Sequence, residues 1–217
     1  MKYQNMTWGR MEAIINKLGG EEAVDAFLAG RMEVVKRKFH QFGDDLLGGK
    51  GRIVFGSDFN PETQIDEFAG KKDPKVDSTT RYLNSNLTSE NFMNVTHTPE
   101  VGKKYEVKMI PIHQGCSVIG QEIVDYMKTI PGIRFFGAQG ETYLQEHQPD
   151  LFPVGKWSVS FDEKEALWKD AGGGHRVPDV YRNSDGDWKF YLGDFGVSWD
   201  SAFVLVCFCD LDESSEA

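Results

Sequence analysis

Between Tyr105 and Tyr143 the apolar positions change period twice. Val107, Met109 and Ile110 form a short run closed by Pro111, which reads as a strand. Gly115 and Ser117 mark a break, with Ser117 placed to cap a helix. Val118, Ile119, Ile123, Tyr126 and Met127 then recur at helical spacing, predicting a helix over 117–128 with one apolar face. Pro131 and Gly132 stop it, because proline cannot continue the hydrogen-bond ladder. Ile133, Phe135 and Phe136 read as a second buried strand. The most hydrophobic run of the chain, Phe203 to Phe208, is expected to be a central strand of the same sheet.

The first forty residues carry a helical pattern. Thr7 precedes a stripe of Trp8, Met11, Ile14, Ile15 and Leu18, and Gly19 and Gly20 end it. Glu21 and Glu22 open a second helix with Val24, Phe27 and Leu28 on one face, and a third piece runs from about Met32 to Phe42. From Gly43 glycines cluster ahead of the short apolar run Ile53–Phe55, predicting a turn into a strand, and the polar segment Asp58–Glu100 predicts a long surface excursion with one short strand at 92–96, anchored by Leu83, Leu87, Phe92 and Val95. Further on, Gln139 to His147 reads as a short helix. Trp157, Val159 and Phe161 alternate with Lys156, Ser158 and Ser160, as in a half-buried strand. Asp162 is placed to cap one helical turn, EKEALW. Val177–Arg182, the turn NSDGD and Trp188–Leu192 predict a hairpin.

The expected fold class is α+β. A helical N-terminal region (1–42) precedes an irregular polar segment (43–100), then a core domain (101–211) with a mixed, mainly antiparallel sheet and one or two packed helices, and an acidic tail (212–217).

Two segments carry a resemblance. TWGRMEAIINKLGGEEAVDAFLAGRMEV resembles the N-terminal helical segment of small uncharacterised bacterial proteins, and SFDEKEALWKDAGGGHRVPDVYRNSDGDWKFYLGDF is similar to the end of some of them. Together they cover about a third of the chain and leave out HQGCS. The resemblance implies a bacterial, cytoplasmic origin and transfers no site.

Charge narrows the partners. With 34 acidic and 24 basic residues the formal net charge is −10, which repels nucleic-acid phosphates and anionic membranes. No apolar run of about 18 residues predicts a membrane span, and MKYQNMTWGR lacks the apolar core of a secretory signal. Cys116, Cys207 and Cys209 make an odd count, with the last two too close for an ordinary disulfide, so a reduced cytoplasmic protein is expected.

Candidate chemistry gathers in two loops. His113 and Cys116 precede the expected 117–128 helix, where a helix N-terminus favours thiolate and an imidazole can take the proton. The phosphatase spacing is absent, since Glu122 stands where its arginine would be. The same loop, with Gln114 and Ser117, offers backbone N–H groups to a small ligand. In GGGHRVPD, His175, Arg176 and Asp179 are candidate ligand contacts. The five histidines show no metal-helix spacing and no Cys-x-x-Cys occurs, so neither a metal nor another cofactor is expected. Asn183, Asp185 and Asp187 imitate the start of a calcium loop without its distant glutamate. GGKGR lacks the end of a phosphate loop.

Three functions stay open. The first is a non-enzymatic binding or interaction domain with a protein partner or self-association, for which Trp8, Trp157, Trp168, Trp188 and Trp199 supply surplus aromatic surface. The second is a hydrolase-like enzyme acting through His113 and Cys116. The third is a DNA-binding regulator using residues 7–38, against which Glu21, Glu22 and Asp25 carry the wrong charge.

Overall fold

The structure is a computed structural model that describes residues 40–70 and 82–211, with Asp25 and Ala29. The chain divides into two compact units, Met1–Lys38 and Phe39–Ala217, and the helices and strands named here belong to the second.

In chain order these are β1 (Gly51–Val54), α1 (Gln64–Gly70), β2 (Tyr82–Leu83), β3 (Lys104–Pro111), β4 (Val118–Ile119), α2 (Gly120–Met127) and β5 (Ile133–Arg134). Then come α3 (Gly137–His147), β6 (Trp157–Val159), β7 (Trp168–Lys169), β8 (His175–Arg182), β9 (Trp188–Asp194), β10 (Ser198–Trp199) and β11 (Phe203–Asp210). Nine strands form one sheet in the order β1-β3-β11-β6-β8-β9-β2, with β5 added to β11 and β7 to β8. The β11–β6 and β2–β9 pairs are parallel and the rest antiparallel. A separate ribbon pairs β4 with β10.

The sheet is buried on both faces at its centre, which is why β11 reads as a nearly unbroken apolar run. Val204, Val206 and Phe208 face one layer, where Ile65 and Phe68 of α1 and Tyr143 and Leu144 of α3 pack with Phe55, Tyr105 and Phe190. Leu205 and Cys207 face the other layer, against Ile123, Val124 and Met127 of α2 and Trp199 of the ribbon. Each such side chain contributes about 1.5–3 kcal/mol when fully buried. The Phe55 and Tyr143 rings stack at 4.8 Å, tying the residue after β1 to α3.

The expected α+β layout is corrected. The described chain is mostly a large mixed sheet with three helices between Gln64 and His147; β1 falls at the strand expected near Ile53–Phe55, and the sheet draws β2 from the segment read as a surface excursion. The helices expected in 1–42 and the tail 212–217 lie outside the described residues, apart from 40–42 and the isolated positions Asp25 and Ala29. The α1 helix was hidden because it buries only Gln64, Ile65 and Phe68, too few positions to show a period. Residues 92–96 form no strand.

Local boundaries differ as well. Val118 and Ile119 pair with Trp199 and Ser198, so the helix expected over 117–128 starts at Gly120, with Ile119 and not Ser117 at its N-cap. Its lower edge moved because a long-range strand pair captured two apolar residues. Ser158 and Ser160 are buried along with Val159 and Phe161, so this stretch is not half-buried. The EKEALW stretch makes two successive i to i+3 bonds, Ala166 to Glu163 and Leu167 to Lys164, a tight turn in place of an α-helical one. Among the described residues no helix is long and apolar enough to cross a membrane.

Candidate binding site

The glycine loop before β8 is closed around one carboxylate. Asp170 Oδ1 accepts from the backbone N–H groups of Gly172 and Gly174, each at 2.9 Å. Its Oδ2 accepts from Arg176 Nε at 2.7 Å and from Nη2. The Arg176 guanidinium holds the Asp170 carboxyl below its ordinary range. Arg176 Nη1 also lies 3.5 Å from Asp194 Oδ2, so its charge is already engaged by two acids.

Beside this pair is a hollow of about 280 Å³ lined by Asn84, Asn86, Trp168, Asp170, Arg176 and Leu192. The sheet places these residues. Trp168 of β7 stands opposite Arg176 of β8, and Leu192 of β9 opposite Pro178. Asn84 leaves β2 with its N–H on the Phe190 carbonyl at 3.0 Å, and its Oδ1 accepts from Asn86 N–H at 3.0 Å. Asn91 Nδ2 holds the Asn86 carbonyl at 2.8 Å. Among the described residues no bond occupies the Asn84 amide N–H₂ or the Asn86 side chain. The lining therefore combines an aromatic wall, unused carboxamide groups and a fixed ion pair.

Of the candidate residues, Arg176 alone lines this hollow. His175 and Asp179 share the opposite face of β8, because successive strand side chains alternate. Asp179 is 7% exposed and its Oδ1 has no hydrogen-bond partner. Burial pushes its carboxyl up to about 7. Burial lowers the His175 pKa.

The other loop is held differently. His113 N–H bonds the Gln41 carbonyl at 2.7 Å, and its Nδ1 lies 3.0 Å from the His40 carbonyl oxygen. Cys116 N–H bonds the His113 carbonyl at 3.1 Å, which closes a turn. Cys116 packs half-buried against the α2 side of the core, and no hydrogen bond joins its sulfur to the His113 ring. Gln114 and Ser117 are exposed. Because α2 begins at Gly120, after a strand, the Cys116 thiol does not sit at a helix N-terminus.

A third carboxylate is structural. Asp162 Oδ1 accepts from Thr96 N–H at 3.0 Å, from the Thr96 hydroxyl, and from Glu163 N–H at 2.8 Å, pinning 96 to 163. Burial raises it to about 7 while those bonds oppose the rise. Glu141 on α3 is wholly buried, and its carboxyl is raised by burial and by Asp179. Among the described residues no group of three or more His, Cys, Asp or Glu side chains is placed to hold a metal.

Asn84, Asn86 and Asp170 went unread in the sequence, while Trp168 was read only as surplus aromatic surface and Leu192 only as part of the hairpin. Two local signals point their way: an Asn two residues before another Asn, and an Asp ahead of three glycines, both turn-forming arrangements. No protein-family model, curated protein or solved structure matches the chain, so its function has to be read from these residues themselves.

Proposed function

We propose that this protein is a non-enzymatic binding domain that holds a small, uncharged polar molecule in the Trp168–Arg176 hollow. The observation that carries this reading is the meeting of an indole with the Asn84 amide N–H₂ and the Asn86 side chain around an ion pair whose charge is already satisfied. Such a lining gives orientation by hydrogen bonds and contact area by the ring. A bare anion gains little, because Arg176 already faces Asp170 and Asp194. Trp168, like Trp157, is partly buried while Trp188 and Trp199 are buried, so Trp168 brings partly accessible aromatic surface to the hollow. Three free cysteines suit a reducing compartment and support a cytoplasmic location.

The test is a thermal-shift screen of sugars, polyols and small amides on the full chain, followed by calorimetry. Trp168→Ala and Asn84→Ala should each weaken the selected ligand by about tenfold or more, while Cys116→Ser leaves it unchanged. A ligand indifferent to both hollow variants, or turned over in a Cys116-dependent way, overturns the reading. The DNA-binding alternative rests on residues 7–38, which, apart from Asp25 and Ala29, lie outside the described residues.

A further inference from the structure

The large sheet ends at β1, which has no strand on its outer side among the described residues. The phase of the ladder decides what that edge offers. In β3 the carbonyls of Met109 and Pro111 accept from the N–H groups of Leu46 and Gly43, at 2.8 Å each, on the side opposite β11. Backbone groups alternate between the two sides of a strand, so Tyr105 and Val107 point the same way, at β1. Their partners Ile53 and Gly51 therefore bond β3. Arg52 and Val54 alternate with these two, and each aims its N–H and its C=O outward. Among the described residues nothing bonds those outward groups.

The side chains of the same two residues are exposed, while Gly51 and Ile53 are buried. Register puts Arg52 opposite Glu106 and Val54 opposite Lys104, and Lys108 follows on that face of β3. Three cations, Arg52, Lys104 and Lys108, thus flank one acid, Glu106, whose carboxylate lies 3.2 Å from the Lys108 ammonium. Lys50, just before β1, is exposed as well. Asp45 of the preceding loop is committed to the N–H groups of Leu47, Gly49 and Met109. Neither Lys50 nor Arg52 has an ion pair among the described residues. The edge is therefore basic on a chain of net charge −10. At its far end Val54 is 46% exposed and Val101 58%. The Gly102 N–H bonds the Phe55 carbonyl at 2.7 Å, which holds the Val101 turn beside the end of β1.

Backbone and charge each select the occupant. Donors and acceptors alternating along an extended edge are matched by another extended polypeptide, which supplies both at the same spacing. A nucleic acid brings phosphate acceptors without the matching row of N–H donors, and the charge of the whole chain repels it. A second copy laid β1 against β1 brings two sets of Lys50 and Arg52 together. Like charges facing each other across strands are destabilising, and basic residues on an edge block such self-pairing. An acidic strand meets the opposite charge at the same positions, and its uncharged side chains reach Val54 and Val101.

We infer that the β1 edge takes up an acidic, extended peptide by strand addition, its backbone bonded to Arg52 and Val54 and its carboxylates facing Lys50 and Arg52. This goes beyond the hollow and uses none of its residues. The test is fluorescence anisotropy of the full chain with a labelled peptide of alternating Glu and Thr. The comparisons are the same peptide with Lys for Glu, and the Glu peptide N-methylated at every amide. The Glu peptide should bind, and the other two should not. Arg52→Glu should weaken it about tenfold or more by reversing a charge. Val54→Pro should do the same by removing an outward N–H, while the ladder to β3 stays whole. Circular dichroism checks that both variants stay folded, and the N-methylated peptide tests the same bonds on the unaltered chain. Trp168→Ala should leave the peptide bound, so this edge and the hollow succeed or fail separately. No binding of the Glu peptide, equal binding after N-methylation, or a folded Val54→Pro chain that binds as before overturns the inference.

Discussion

Gly193 of β9 lies directly beneath the Trp199 indole, leaving no room for a methyl group between them. Trp199 is 1% exposed and belongs to the β4–β10 ribbon, so this contact seats the ribbon on the large sheet. Gly193→Ala forces the ring or the strand to move within close-packed surroundings. A loss of roughly 1–3 kcal/mol is expected. Urea unfolding should show a lower midpoint with an unchanged slope; an unchanged midpoint would mean that the ribbon moves aside at no cost.

The buried Asp179 carboxyl sets a pH dependence. Its value rises from the ordinary 3.8 to about 7 because burial disfavours the charge. Between those values the folded chain keeps a proton that the unfolded chain releases, so this group makes stability fall as pH climbs from 4 through 7. Asp179→Asn removes the charge without restoring a partner. The variant should match the parent near pH 4 and exceed it by roughly 2–4 kcal/mol at pH 8. Asp170 and Asp210, whose carboxyls are lowered chiefly by Arg176 and Arg134, act in the opposite sense at the acid end in both proteins. A difference that does not grow between pH 4 and pH 8 would show that Asp179 reaches solvent.

Thr96→Val takes one donor from Asp162. A hydrogen bond to a charged acceptor is stronger than one to a neutral group. The loss should therefore be about 1–3 kcal/mol at pH 8, above the Asp162 value of about 7, and smaller at pH 5. Equal losses at both pH values would mean that Asp162 keeps one protonation state throughout.

Thiol labelling should order the three cysteines. Cys207 and Cys209 are buried, and burial raises both thiols, Cys209 to about 11. Cys116 is half-buried. Iodoacetamide at neutral pH should modify Cys116 in the native protein and the other two only after denaturation, as mass mapping can read. Native labelling of Cys207 would mean that β11 opens to solvent.

Local order was written in local residues. The β8–β9 hairpin arises from two apolar runs around NSDGD, and the Phe203–Phe208 run announces a strand buried on both faces. The apolar face of α2 was legible from Ile123 and Met127. These depend on interactions a few residues apart, which short patterns record. What only the tertiary structure decided is adjacency. The parallel β2–β9 pair brings Asn84 and Asn86 to Trp168 and Arg176, and the β1–β3 pair leaves Arg52 and Val54 at the end of the sheet. Strand pairing across long separations is chosen by which faces can be buried together, and no local period encodes it. The same cause moved the start of α2. Val118 pairs with Trp199, some eighty positions along the chain, and its own neighbours carry no trace of that partner.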